Sequence, residues 1–140
     1  MSIRDGTPGD FDSLVPVFRK CHAGSIFAGL EFDEDRVRRV YVTTCCFERG
    51  FVKVVEKDGE LVGCMGASLS QNMFGAWCAE DLFLYSECET HKLVNQYKQW
   101  AKANDVVFAQ ISDYSKGDRL GKLLDFLGFR PAGVTYFEVF

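Results

Sequence analysis

FVKVVEKDGELVGCMGASL, residues 51–69, is the stretch from which the fold of this chain is best read. Its first seven residues are rich in β-branched side chains, as is typical of a strand. Asp58-Gly59 follows, and this pair favours a two-residue hairpin turn because both residues tolerate positive φ. Residues 61–69 then continue as the partner strand. The stretch therefore predicts a hairpin of two antiparallel strands.

Two helices are predicted upstream of this hairpin, after a short first strand around Ile3 and Arg4. The first helix starts with Thr7 as its cap, a proline in the first turn and an acid at the third position. The second starts at Asp33 and Glu34 and ends near Gly50. Apolar side chains recur at helical spacing in both, at Phe11, Leu14, Val15, Phe18 and Cys21 in the first and at Val37, Val40, Tyr41 and Cys45 in the second.

The chain downstream of the hairpin predicts a parallel crossover. A strand over residues 76–84 leads into a helix, and residues 106–111 form a short apolar run expected to be a strand buried on both faces. A last helix runs from Lys116 and stops at Gly128, a residue suited to the left-handed C-cap position. Residues 134–140 are predicted as a closing strand. The apolar face of the crossover helix is predicted to contain Leu93, Tyr97, Trp100 and Ala101.

Size and composition predict one α/β domain over residues 1–140. The apolar fraction is 47% and the formal net charge is −4, which argues against direct nucleic-acid binding. The first residues contain no apolar signal segment and no later run is long enough to cross a bilayer, so a cytoplasmic protein with six reduced cysteines is expected. Cys88 and His91 have a ligand-like spacing but lack further ligands, so no metal is expected.

Three segments carry a resemblance to a known family. The tail Leu123-Leu124-Asp125-Phe126-Leu127-Gly128-Phe129-Arg130-Pro131, the hairpin over residues 57–63 and the segment Trp100-Ala101-Lys102-Ala103-Asn104-Asp105 resemble the GNAT (N-acetyltransferase) superfamily, as does the order of elements over nearly the whole chain. The resemblance implies a mixed, mostly antiparallel sheet with a parallel β4/β5 splay and helices on both faces. It also implies acetyl-CoA as co-substrate and an amine, on a small molecule or a protein, as acceptor.

The resemblance also implies where acetyl-CoA would bind. The pantetheine arm would lie between the splayed strands against the backbone of Leu82, Phe83 and Leu84. The pyrophosphate loop of the superfamily is rich in glycine, but here it reads Tyr85-Ser86-Glu87-Cys88-Glu89-Thr90-His91-Lys92, without glycine or arginine. Tyr85, His91 and Lys92 are the cofactor-side candidates, with Gly117 at the position of an expected asparagine. Glu87 and Glu89 would oppose an anion, unless several loop residues are simply missing.

For catalysis, an amine acceptor must lose a proton before it attacks a thioester. Glu80 stands where some members of the superfamily have a glutamate base, so it is the first candidate, and Asp81 is the second. A solvated carboxylate on a strand face is the alternative. The tyrosine that usually acts as the acid is replaced by Leu124. Tyr114 or Tyr85 could substitute, although a tyrosine near a sheet end is commonly a packing residue.

Two functions from different classes remain open at this stage. One is an acetyl-CoA-dependent N-acyltransferase. The other is a catalytically inactive relative that keeps the fold to bind a protein partner as a regulator or inhibitor, which the glycine-free loop and the missing acid favour. A homodimer is also open, because the apolar residues Phe137, Val139 and Phe140 could join the edge strand of another subunit, and a monomer is equally allowed.

Overall fold

Five strands and four helices make up the chain, and the computed structural model describes all of its residues, Met1–Phe140. A short 3-10 turn, Pro8–Asp10, precedes the first helix. In chain order the elements are β1 Ser2–Asp5, α1 Phe11–Ala23, α2 Glu34–Cys46, β2 Phe51–Lys57, β3 Glu60–Gln71, β4 Trp77–Ser86, α3 Thr90–Ala103, β5 Phe108–Gln110 and α4 Arg119–Phe126.

The five strands form one sheet in the order β1-β2-β3-β4-β5. The first four pair antiparallel, and only β4 and β5 run parallel, across the α3 crossover. The predicted mixed, mostly antiparallel sheet is therefore confirmed. The predicted hairpin turn is also present, since Asp58 and Gly59 have φ values of 52° and 80°, the left-handed conformation that a two-residue hairpin needs.

Each face of the sheet is covered by helices. On one face, which we call the α1–α2 face, the side chains of Phe11, Leu14 and Tyr41 pack on Val54 and Cys64. On the other, the α3 face, the helix packs on Val55, Met65, Ala67 and Ala79 through the buried residues Leu93, Tyr97 and Ala101. Trp100 is only half-buried and Val94 is buried instead, so the predicted apolar face of α3 is rotated slightly. None of the four helices combines the length and apolar character needed to span a bilayer.

The start of α1 is fixed by an ion pair and a capping contact. Arg4 on β1 donates to both carboxylate oxygens of Asp10, at 2.9 Å each, and the backbone N–H of Thr7 donates to the same carboxylate at 2.9 Å. Thr7 and Asp10 thus form the expected capping arrangement. The Arg4 guanidinium lowers the pKa of Asp10 from 3.8 to about 2.

Asp10→Asn is expected to destabilise the fold by about 1 kcal/mol at pH 7. The lowered pKa of Asp10 alone would correspond to a larger loss of stability, but Arg4 is 41% exposed and solvent screens the ion pair. Because the folded pKa lies below the unfolded one, the contribution is present above about pH 4 and lost as pH falls through about 2. Urea unfolding of both proteins at pH 7 and pH 2.5 checks this. An equal difference at both pH values would contradict it.

The end of α4 confirms the role predicted for Gly128. This glycine has φ of 92°, its N–H donates to Asp125 at 3.1 Å, and the N–H of Phe129 donates to Leu124 at 2.9 Å. These two bonds are those of a Schellman cap. The helix starts at Arg119, three residues later than the sequence predicts.

Two predictions about the C-terminal part of the sheet are wrong. Residues 134–140 form no strand, and none of their backbone groups pairs with another element. Their alternating apolar pattern gives them strand propensity, but propensity without a partner's hydrogen bonds does not make a strand. In addition, β5 is three residues long and lies at the sheet edge, so Phe108 is 38% exposed and the strand is not buried on both faces.

Candidate functional site

The most distinctive feature of the sheet is that the parallel strands β4 and β5 separate after a short paired stretch. Their pairing covers only Cys78 with Phe108, Ala79 with Ala109 and Glu80 with Gln110. Strand β4 continues for six more residues, to Ser86, with no partner on that side. An opening, here called the β4–β5 gap, therefore lies between residues 81–86 and the chain that follows Gln110. It exposes strand backbone that no other strand satisfies.

A β-bulge lies where the gap begins. Gly66 of β3 pairs with Phe83 while the next residue, Ala67, pairs with Asp81, so Leu82 is an extra residue. Gly66 is needed at this point because the Phe83 ring crosses over it, and a Cβ built on the glycine would lie 2.1 Å from Cζ of that ring. The bulge changes which side chains of β4 face each side, as bulges next to functional sites commonly do.

The structure places the two candidate carboxylates on opposite faces of the sheet. Asp81 shares the α3 face with Ala79, whereas Glu80 lies on the α1–α2 face, on which Phe83 and Tyr85 also pack. The amide of Gln110, the paired residue on β5, donates to Glu80 Oε2 at 3.3 Å. Glu80 is thus held at the inner end of the gap, with part of its carboxylate still reachable.

Asp81 has a structural contact of its own. Its Oδ1 accepts a hydrogen bond from the backbone N–H of Ser112 at 2.9 Å, which ties the chain after β5 back to β4 across the start of the gap. Burial raises the pKa of Asp81 from 3.8 to about 6, and the Ser112 N–H offsets only part of that effect. Sequence reasoning missed Ser112, since nothing in its neighbourhood marks a backbone donor.

Two loops of the chain are joined by backbone hydrogen bonds. Ile26 N donates to Tyr114 O and Lys116 N donates to Gly24 O, both at 2.9 Å, and Ser25 and Ser115 form an antiparallel bridge. The loop after α1 is therefore joined to the loop after β5. Tyr114, the candidate acid, lies in this bridge, and its ring packs on Phe27 with centroids 5.2 Å apart. We refer to residues 24–27 and 114–116 as the loop bridge.

The turn that leads from β4 into α3 keeps three free backbone donors although it has no glycine. The N–H groups of Glu89, Thr90 and His91 donate to no acceptor, as is usual at a helix start. Glu89 takes the left-handed conformation, with φ of 60°, which costs a non-glycine residue about 1–2 kcal/mol. Free donors and the positive end of the helix make this turn suited to an anion.

Two acidic side chains in this turn, Glu87 and Glu89, oppose the binding of an anion. Glu87 is paired with Lys20 of α1. The Glu89 carboxylate lies 2.7 Å from Lys92 Nζ and 4.0 Å from His91 Nε2, and its hydrogen bond to Lys92 lowers its pKa. His91 and Lys92, the two basic residues predicted to contact the phosphates, therefore both lie next to the carboxylate of Glu89.

The remaining predicted residues lie on β4, just after the loop bridge and on α4. Leu82 is 41% exposed, Phe83, Leu84 and Tyr85 are half-buried, and the Leu84 carbonyl lies 3.9 Å from Cys21 Sγ. Gly117 follows the loop bridge and has φ of 86°. Leu124, which replaces the usual tyrosine, is buried. Residues 82–85 thus lie on the unpaired part of β4, Tyr114 lies in the loop bridge, and His91 and Lys92 lie beyond the outer end of the gap, on α3.

Two surface clefts of about 560 and 600 Å³ lie elsewhere. The first is at the opposite end of β4, between Phe47, Trp77 and Val106, and the second lies along β1 and β2 beside Trp100. Neither includes a residue of the gap or of the loop bridge. No three side chains of His, Cys, Asp and Glu are grouped so that they could hold a metal ion.

Solved structures share this arrangement over the whole chain. An aminoglycoside 6'-N-acetyltransferase from Acinetobacter haemolyticus superposes with a TM-score of 0.74 at 14% identity, covering 99% of this chain and 98% of its own. A ribosomal-protein-alanine N-acetyltransferase from Brucella melitensis gives 0.71 at 12% identity, with both chains covered completely. A transcriptional regulator from Bacillus halodurans gives 0.73 at 17% identity, covering 99% of each chain.

The chain has the GNAT fold. No protein-family model matches the sequence, and the comparison with curated proteins found no match. At identities of 12–17% the likeness concerns the fold and leaves the activity to be argued from the site.

Within the GNAT fold, the departures of this chain concentrate in one place. The sheet, its bulge and the parallel β4–β5 pairing are complete, whereas the turn before α3 carries Glu87 and Glu89 where the superfamily's loop is rich in glycine. Sequence reasoning found this substitution but missed the left-handed Glu89 and the loop bridge. The loop bridge depends on contacts between residues about 90 positions apart in the chain, so no local sequence pattern predicts it.

Proposed function

We propose that this protein is an acetyl-CoA-dependent N-acyltransferase that moves an acetyl group to an amine of a small molecule or a protein. The observation that carries the proposal is the β4–β5 gap with Glu80 at its inner end. The unpaired backbone of residues 81–86 offers hydrogen bonds to an extended arm, and Glu80 lies on the α1–α2 face where that unpaired stretch begins. A carboxylate in that position is suited to proton removal.

In this proposal the pantetheine arm lies against Leu82, Phe83 and Leu84, beside Tyr85. The free N–H groups of the turn before α3, together with His91 and Lys92, face the phosphates, and Gly117 stands at the position from which the superfamily's asparagine would contact the cofactor. Acetyl-CoA supplies an activated thioester. The residues around the gap fit the arm, whereas Glu87 and Glu89 fit the phosphates poorly because they place negative charge near them.

The chemistry that Glu80 would support is a direct transfer. Glu80, acting through water, takes the proton of the acceptor ammonium, which frees the nitrogen lone pair for attack on the acetyl carbonyl carbon. The new C–N bond forms as the C–S bond breaks, and the sulfur leaves with the electron pair. Tyr114 is the candidate that returns a proton to the sulfur, and Asp81 is the second candidate base.

Calorimetric titration with acetyl-CoA tests the proposal, and the Glu89→Gly variant tests whether the turn before α3 contacts the phosphates. The variant is expected to bind about three to ten times more tightly than the parent protein, because it removes a carboxylate from the phosphate side and relieves a left-handed glutamate. Asp105→Gly is the matched control. Asp105 is also left-handed, with φ of 57°, but it lies at the opposite end of α3 and should leave the affinity unchanged.

The second candidate function is a catalytically inactive GNAT-fold protein that binds a protein partner as regulator or inhibitor. The ion pairs that Glu87 and Glu89 make with Lys20 and Lys92 favour it, since they occupy the phosphate side with the chain's own charges. Absence of binding to millimolar acetyl-CoA by both the parent protein and Glu89→Gly would support this alternative and contradict the enzyme.

A further inference from the structure

Three aromatic rings meet at the loop bridge. Phe27 packs on Tyr114 with centroids 5.2 Å apart and on Phe137 of the C-terminal segment at 5.9 Å. Tyr114 and Phe137 remain 39% and 53% exposed, so the cluster presents ring surface to solvent instead of burying it in the core. Exposed rings grouped in this way are suited to contact another flat apolar group.

Phe27 is held in place by its own loop. Its N–H donates to Ser25 Oγ at 3.1 Å, and that hydroxyl donates to the carbonyl of His22 at 2.8 Å. The backbone N–H of the neighbouring Ile26 donates to the carbonyl of Tyr114, so the two loop segments that carry these rings are joined before anything binds. A preformed ring pair binds a ligand without the cost of ordering it.

Glu80 is the candidate carboxylate for a cationic ligand. It lies on the α1–α2 face of the gap, whereas Asp81 lies on the opposite face of the sheet, and it forms no ion pair with a lysine or arginine. Of the charged residues next to Tyr114 in the chain, Asp113 accepts hydrogen bonds from Ser115, and Lys116 carries the opposite charge. A cationic ligand is favoured by Glu80 and by the faces of the rings.

We infer that the acceptor is a small primary amine carried on an aromatic body, with its ring on Phe27 and Tyr114 and its ammonium directed toward Glu80. This rests on the proposed function and names its substrate class. A flexible polyamine uses several carboxylates but gains little from a ring pair, and an anionic acceptor is repelled. The loop bridge is then the part of the site that selects the acceptor.

Rates of acetyl transfer to 2-phenylethylamine and n-butylamine test this inference. The parent protein is expected to prefer 2-phenylethylamine by at least about tenfold in kcat/KM, and Phe27→Ala should reduce that ratio about tenfold, mainly through KM. Phe27→Leu, which keeps an apolar side chain without a ring, should reduce it nearly as much. Phe126→Ala removes a ring that is 85% exposed on α4 and should leave the ratio unchanged.

The outcomes separate the inference from the proposed function. Transfer to both amines with a ratio near one, or a ratio that Phe27→Ala does not alter, overturns the inference and leaves the acyltransferase standing. If acetyl-CoA binds but neither amine is acetylated, saturation-transfer NMR of 2-phenylethylamine with the protein decides. A signal that Phe27→Ala abolishes supports the aromatic site although the transfer reaction has failed, and no signal overturns it.

Discussion

Glu80→Gln is expected to lower kcat/KM for acetyl transfer by about 10²–10⁴-fold, the range over which a positioned general base contributes. Glutamine keeps the size of the side chain and can still contact the Gln110 amide, which now lies 3.3 Å from the carboxylate, so the fold and the gap should be retained. The loss should therefore fall on kcat. Initial rates with saturating acetyl-CoA, followed by release of the free thiol, give the measurement.

Acetyl-CoA affinity is the internal control for this variant. Glu80 lies at the inner end of the gap, away from the phosphate side, so calorimetry should give the same affinity within about twofold. Glu60→Gln, a change at the exposed start of β3, is the matched control for rate. If the rate falls less than about fivefold, Glu80 is a solvated strand-face carboxylate and the role of base passes to Asp81 or to water.

The sequence predicts the local parts of the fold well because their causes are local. Asp58-Gly59 requires positive φ at two adjacent residues, and Gly128 ends α4 through two hydrogen bonds within its own last turn. Residues 134–140 show the limit of that reasoning. Alternating apolar side chains favour a strand, yet pairing depends on a partner elsewhere in the chain, and here the segment stays exposed.

The candidate site was predicted less completely, for the same reason. The adjacent carboxylates Glu80 and Asp81 must face opposite sides of a strand, but the sequence does not tell which of them faces the acceptor. That choice follows from the strand register and from the bulge at Leu82, and both depend on how Phe83 crosses Gly66. The loop bridge likewise forms only in the folded chain.

The turn before α3 contains features that support each of the two functional hypotheses. Its backbone keeps the conformation and free donors that an anion needs, at the cost of a left-handed Glu89. Its side chains oppose the same anion. The left-handed conformation of Glu89 does not decide between the hypotheses, because Asp105 takes the same conformation away from the gap. The free backbone donors favour the enzyme, while the charge of the side chains limits affinity.

Asp81→Asn is expected to stabilise the protein by about 2 kcal/mol at pH 7–8. Burial raises the pKa of this carboxyl from 3.8 to about 6, so the folded state holds its charge at a cost that an amide avoids. Because the folded pKa lies above the unfolded one, the cost is absent below about pH 4, grows as pH rises to about 6, and is complete above it. Urea unfolding of both proteins at pH 4 and pH 8 measures the difference.

Activity assays on the same variant decide between the two carboxylates. Asparagine can still accept the Ser112 N–H through its side-chain oxygen, so the gap should persist and the rate should stay within about threefold if Glu80 is the base. Asp81→Ala removes that acceptor and should lose the stabilisation, which separates the effect of charge from that of the hydrogen bond. A rate loss of 100-fold or more in Asp81→Asn, alongside its greater stability, would instead make Asp81 the base, with activity gained at the cost of stability.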